Sequence, residues 1–167
     1  AKNGESNFVV RHRAFQLQPD QNEVVKTAEM LASKYQVSPA QVDQMQANVC
    51  SIADGEGLCY DLSETYSGNT KDAHRLLLWA QENGKEDELL EAMYSGYFEN
   101  KKSLFSRSDL INVASEVGIT ADEVNSVLDT DKYSNQVMED QVLARNYGAN
   151  GVPFFVIDNK YGISGAQ

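Results

Sequence analysis

The step Gly151-Val152-Pro153, set directly before the apolar run Phe154-Phe155-Val156-Ile157, restricts the fold of this chain more than any other feature. Proline has no amide hydrogen to give to a ladder, so it suits a buried strand only at its first residue or at a special turn. The Val152–Pro153 bond is therefore a candidate cis peptide, a costly local geometry that concentrates at functional loops. The run leaves through Asp158-Asn159-Lys160, and residues 161–164 read as a second short strand. The bland alternative is that Val152-Pro153 merely starts a buried strand.

Upstream, residues 8–17 alternate and read as a strand that Pro19-Asp20 ends. From Asn22 the period becomes helical, with Val24, Val25, Ala28, Leu31 and Tyr35 on one face. Ser38-Pro39 is an N-cap followed by proline at the first helical position. That helix carries Val42, Met45, Val49 and Ile52, and Gly55 to Gly57 stop it. Residues 58–62 read as a short strand or an extended segment. Helices follow at 69–83 and 86–98, then from Ser106 or Arg107 to Gly118, then from a Thr120–Glu123 capping box, then from about 133 to 147. A few strands widely separated by helices predict an α/β domain, a small sheet with a mainly helical insertion.

Composition limits the partners. A chain of 167 residues at 41% hydrophobic can bury one ordinary core. Its net charge of −11 argues against a nucleic-acid or anionic-membrane partner, since both need clustered Lys and Arg. No apolar run approaches the roughly 18–20 residues that span a bilayer. Residues 1–7 are small and polar, without the pattern of a signal peptide.

Four motifs, taken in order, carry a family resemblance. They are Phe15-x-Leu17-x-Pro19; Asn69-Thr70-x-Asp72-Ala73-His74-Arg75-Leu76; the 151–157 segment; and Gly162-x-Ser164-Gly165-Ala166-Gln167. Together they resemble the DsbA-like dithiol oxidoreductases of the FrnE type, thioredoxin folds that carry a helical insertion. The resemblance covers residues 8–167. It implies one domain over 1–167, with 8–17 and 151–167 as sheet elements and 22–147 as the mostly helical region. That family opens on a strand followed by a Cys-x-x-Cys pair, and it closes on a further helix. The expectation is thus a thioredoxin-like fold incomplete at both ends. The first strand and the cysteine pair are both expected before Ala1, with that strand at the centre of the sheet, between those at 8–17 and 153–158. These 167 residues are expected to be inactive by themselves.

The resemblance makes Gly151, Val152 and Pro153 a substrate-facing loop that pairs with substrate backbone at Val152. It also puts Asn69, Thr70, His74 and Arg75 at the border of the active-site groove. From the residues alone, Asn69 or Thr70 caps a helix, and His74 one turn inside is equally well a packed neutral imidazole. His12 reads as structural, and Tyr94, Tyr97 and Phe98 as core. Cys50 and Cys59, with eight residues between them, do not match a redox pair. A structural disulfide between them needs Cα atoms within about 7 Å; otherwise they are small hydrophobes. No metal site and no cofactor are expected. The implied activity is thiol–disulfide exchange on a disulfide-bearing protein or small thiol, in the cytoplasm, with a homodimer left open. Two alternatives stand beside it: a glutathione-dependent isomerase or transferase of the 2-hydroxychromene-2-carboxylate isomerase and kappa type, and a non-catalytic peptide-binding module.

Overall fold

The computed structural model describes residues 9–165. Its main core is helical. Helix α3 (Lys71–Glu82) buries Ala73, Leu76, Trp79 and Ala80 along one side. Against them pack Leu89 and Met93 of α4 (Glu86–Tyr94), Leu110 and Val113 of α5 (Arg107–Glu116), and Val124 and Val127 of α6 (Ala121–Leu128). Local chemistry sets the starts of α5 and α6. Ser106 with Asp109, and Thr120 with Glu123, form reciprocal capping boxes that satisfy the free amides of each first turn. Gly118, at φ 72°, sits just past α5 in the left-handed region where a Cβ is strained.

Helix α4 does not continue to residue 98 as its periodicity predicts. It widens into a π-helical turn at Ser95–Glu99. Tyr94 is exposed, while Tyr97 and Phe98 are half-buried, so these rings form a peripheral cluster rather than core. Phe98 stacks on Tyr60 with centroids 4.9 Å apart, and Tyr97 Oη donates to the Tyr66 carbonyl at 2.7 Å. The phenol needs a polar partner, which keeps that ring at the margin.

Helices α1 (Thr27–Tyr35) and α2 (Pro39–Gly55) pack on one another at the side. The sequence predicts a buried face for α2, but Met45, Val49 and Ile52 are exposed and only Val42 and Ala53 are buried. A partner of 9 residues cannot cover the whole stripe of a helix of 17. The helix expected from residue 22 starts at 27, because β1 (Val25–Lys26) first pairs antiparallel with β2 (Tyr66–Ser67). Residues 58–62 join no ladder; the Asp61 amide donates instead to the Phe98 carbonyl at 2.7 Å. Between β2 and α3, buried Gly68 lies against Phe105, and a Cβ there would meet the ring at 2.7 Å. Gly68→Ala is expected to cost about 1–3 kcal/mol by overpacking, read as a lowered urea midpoint.

Helix α7 (Ser134–Asn146) ends at Gly148, φ 76°, where the Ala149 amide closes back on the Ala144 carbonyl at 2.9 Å. The predicted hairpin follows: β3 (Phe154–Ile157) pairs with β4 (Tyr161–Ser164), from Phe154↔Ser164 to Ile157↔Tyr161. Asp158 and Asn159 both have positive φ, and the Lys160 amide donates to the Ile157 carbonyl, as a tight hairpin turn requires. Phe155, Ile157, Tyr161 and Ile163 stay exposed.

The strand expected at 8–17 is not one. Phe8 lies outside the described residues, and 9–17 run without a ladder among them. Side chains of α7 take the place of a neighbouring strand. Asp140 accepts the Ala14 amide at 3.0 Å, and Gln141 both accepts the Gln16 amide at 2.9 Å and donates to the Gln16 carbonyl at 3.0 Å. Alternation still sets the faces, with Ala14 and Gln16 buried and Leu17 exposed. A period of two fixes which side faces inward but not what the backbone bonds to. Among the described residues no helix is long and apolar enough to cross a membrane.

Candidate functional site

The segment between α7 and β3 is open. The Val152–Pro153 peptide is cis, as its sequence suggests. The Pro153 carbonyl accepts the Gly165 amide at 2.9 Å, which closes the base of the hairpin. Before it the backbone is free: among the described residues, Asn150, Gly151 and Val152 make no hydrogen bond, and the Val152 side chain is exposed.

The α3 motif has a different task. Asn69 Oδ1 accepts the Lys71 amide at 2.8 Å and the Gln16 side-chain amide at 2.9 Å, while Asn69 Nδ2 donates to the Pro19 carbonyl at 2.8 Å. Asn69, not the Thr70 side chain, therefore caps this helix and holds residues 16–19 against it. Thr70 contributes its carbonyl, which accepts the His74 amide at 3.0 Å. His74 Nε2 donates to the Phe15 carbonyl at 3.2 Å, which sets the tautomer of a neutral ring. Burial pushes the His74 pKa below its ordinary 6.5, against the opposing pull of the Phe15 carbonyl and the Asp140 carboxylate.

Because the folded value is depressed, the neutral ring stabilises the fold above about pH 6.5. That stabilisation is lost as the pH falls through 6.5 toward the folded value, since the unfolded chain binds the proton first. The urea midpoint is expected to drop over this window in the wild type and to drop less in His74→Gln. Equal pH profiles for the two proteins would contradict it.

Arg75 is turned into the helical core. Its Nε donates to the Lys132 carbonyl at 2.8 Å, Nη1 to Asp72 Oδ1 at 2.8 Å, and Nη2 to the carbonyls of Val127, at 2.5 Å, and Thr130. It closes the C-terminal end of α6. No hydrogen bond among the described residues joins 151–153 to Asn69, Thr70, His74 or Arg75. Cys50, half-buried in α2, and exposed Cys59 are both free thiols.

A family model for the DSBA-like thioredoxin domain matches residues 1–167. The chain belongs to that family. Among solved structures, this DSBA-like domain is similar to a probable DsbA oxidoreductase from Streptomyces coelicolor. The TM-score is 0.88 at 39% sequence identity, over 93% of this chain and 68% of that one. No curated protein matches it. The α/β reading with a helical insertion thus holds as a DsbA-like thioredoxin fold; among the described residues the β3–β4 hairpin is a two-stranded sheet of its own.

The residues that sequence reasoning missed are Asp140 and Gln141. A polar pair in the middle of a helix ordinarily faces water, and only the packing of α7 on residues 13–16 shows that Asp140 is buried. His12 pairs with Glu86 at 3.2 Å beside Asp87, and the same carboxylate accepts from Gln81. These groups form a hydrogen-bonded cluster at the acidic first turn of α4, where negative charge is favoured by the helix dipole.

Proposed function

We propose that this DSBA-like domain is the substrate-holding part of a thiol–disulfide oxidoreductase acting by dithiol exchange on a disulfide-bearing protein or small thiol. The observation that carries the reading is the free backbone at Val152, at the entry to β3 in a chain of this family. In exchange, a thiolate attacks one sulfur of a disulfide. The S–S bond breaks, the second sulfur leaves as a thiolate, and a mixed disulfide forms for a neighbouring thiol to resolve. The attacking pair, a Cys-x-x-Cys at a helix N-terminus where the thiolate is favoured, is expected on sequence preceding residue 1.

In this reading the amide and carbonyl of Val152 pair with an extended stretch of substrate, as in strand addition. Gly151, with open space where a Cβ would stand, lets that stretch approach. Asn69 and His74 act at one remove, holding residues 15–19 in place. Cys50 and Cys59 take no part. The exposed Phe155, Ile157 and Ile163 support the view that a further segment packs on the hairpin, since contiguous apolar surface marks an interaction site.

The binding step is tested by following backbone amide signals as a disulfide-bearing peptide is added. The largest shifts are expected at 151, 152 and 154. Shifts confined to α2 around Cys50 would sink the assignment.

A further inference from the structure

The sequence contains Asn-Gly at 3–4, 83–84 and 150–151. Asn3-Gly4 lies outside the described residues. The other two pairs sit in opposite environments. Asn83 closes α3: its Nδ2 donates to the Trp79 carbonyl at 2.8 Å, its amide bonds the Trp79 and Ala80 carbonyls, and the Gly84 amide reaches the Gln81 carbonyl at 3.5 Å. Side chain and following amide are both held. Asn150 is exposed, and among the described residues neither its side chain nor the Gly151 amide makes a hydrogen bond. Nothing lies within 4 Å of the position a Cβ would take on Gly151.

We propose that Asn150 is a site of spontaneous backbone-assisted deamidation placed two residues before the substrate-facing Val152. The Gly151 nitrogen loses its proton and attacks the Asn150 side-chain carbonyl carbon. The bond to the side-chain nitrogen breaks, ammonia leaves, and a succinimide ring remains. Water then opens the ring at either carbonyl, giving aspartate or isoaspartate. The step needs a free nitrogen and a carbonyl able to reach near-attack distance, roughly 3–3.5 Å. A glycine, lacking the Cβ that would crowd the attack, and a loop without hydrogen bonds supply both. Asn83 has the same sequence chemistry and lacks the freedom.

Conversion adds a negative charge at Asn150, and the isoaspartate form also inserts a methylene into the main chain just ahead of the loop. The expected result is a protein whose substrate loop changes with age. That consequence rests on the proposed oxidoreductase reading; the modification does not.

The test is site-resolved peptide mapping of the gene product held at mildly alkaline pH, with aspartate and isoaspartate separated. Conversion at Asn150 is expected severalfold faster than at Asn83. In urea the two rates are expected to converge, because the helix end that protects Asn83 is gone. Gly151→Ala, which the open space and the absence of positive φ at this position allow, is expected to slow Asn150 alone. Equal native rates at the two sites, or a native difference that persists in urea, would overturn the proposal. Asn150→Asp is separately expected to weaken turnover relative to Asn150→Ser; equal turnover would remove the functional consequence and leave the mapped site.

Discussion

Arg75→Met is expected to lower the unfolding free energy by about 3–5 kcal/mol, the size associated with breaking a buried charged hydrogen-bond network. The side chain is 6% exposed, and its guanidinium serves the carbonyls of Val127 in the last turn of α6 and of Thr130 and Lys132 just beyond it. The Val127 oxygen also accepts from the Thr130 hydroxyl at 3.1 Å, but those of Thr130 and Lys132 lie past the last helical turn, so each partner lost there in a dry site costs about 1–3 kcal/mol before relaxation. The Asp72 contact contributes little, because that carboxylate is 55% exposed. Arg75→Lys is expected to recover only a minor part, since an ammonium cannot reproduce the planar fork that reaches several oxygens. Urea unfolding with an unchanged slope measures this. A loss under about 1 kcal/mol would mean that water satisfies the carbonyls.

Asp140→Ala is expected to cost about 2–4 kcal/mol, and to act first on residues 13–16. Asp140 is buried, accepts the Ala14 amide, and meets Arg13 Nη1 at 3.0 Å. Removing it strands a buried amide and leaves Arg13 without its counter-charge. Asp140→Asn is expected to recover little, because one end of the amide would turn a donor toward a donor. Hydrogen exchange separates this from general destabilisation. The amides of Ala14 and Gln16 are expected to exchange faster than the core amides of α3. Uniform acceleration across both would contradict the role assigned to Asp140.

How much of this was legible follows from where each signal resides. The starts of α5 and α6 could be read from Ser106 with Asp109 and Thr120 with Glu123, because a capping box is complete within four residues. The hairpin could be read because Pro153, Asp158 and Asn159 restrict their own backbone. The segment 8–17 could not, since alternation does not name a ladder partner. The exposed stripe of α2 could not either, because its coverage depends on the length of α1. Arg75 could be singled out from its motif, which the resemblance sets at the border of the groove, but its partners at the end of α6 could not be read, because they lie more than fifty residues away in sequence. Asp140 was invisible because its partners lie more than a hundred residues away in sequence.

The most direct test of the central claim is insulin-disulfide reduction by the gene product carrying whatever sequence precedes Ala1, compared with a variant whose upstream cysteines are replaced by serine. The account predicts turnover that disappears with those cysteines and survives replacement of Cys50 and Cys59. An upstream sequence with no cysteine pair, or turnover that depends on Cys50 or Cys59 instead, would contradict it; a single upstream serine would point to glutathione chemistry.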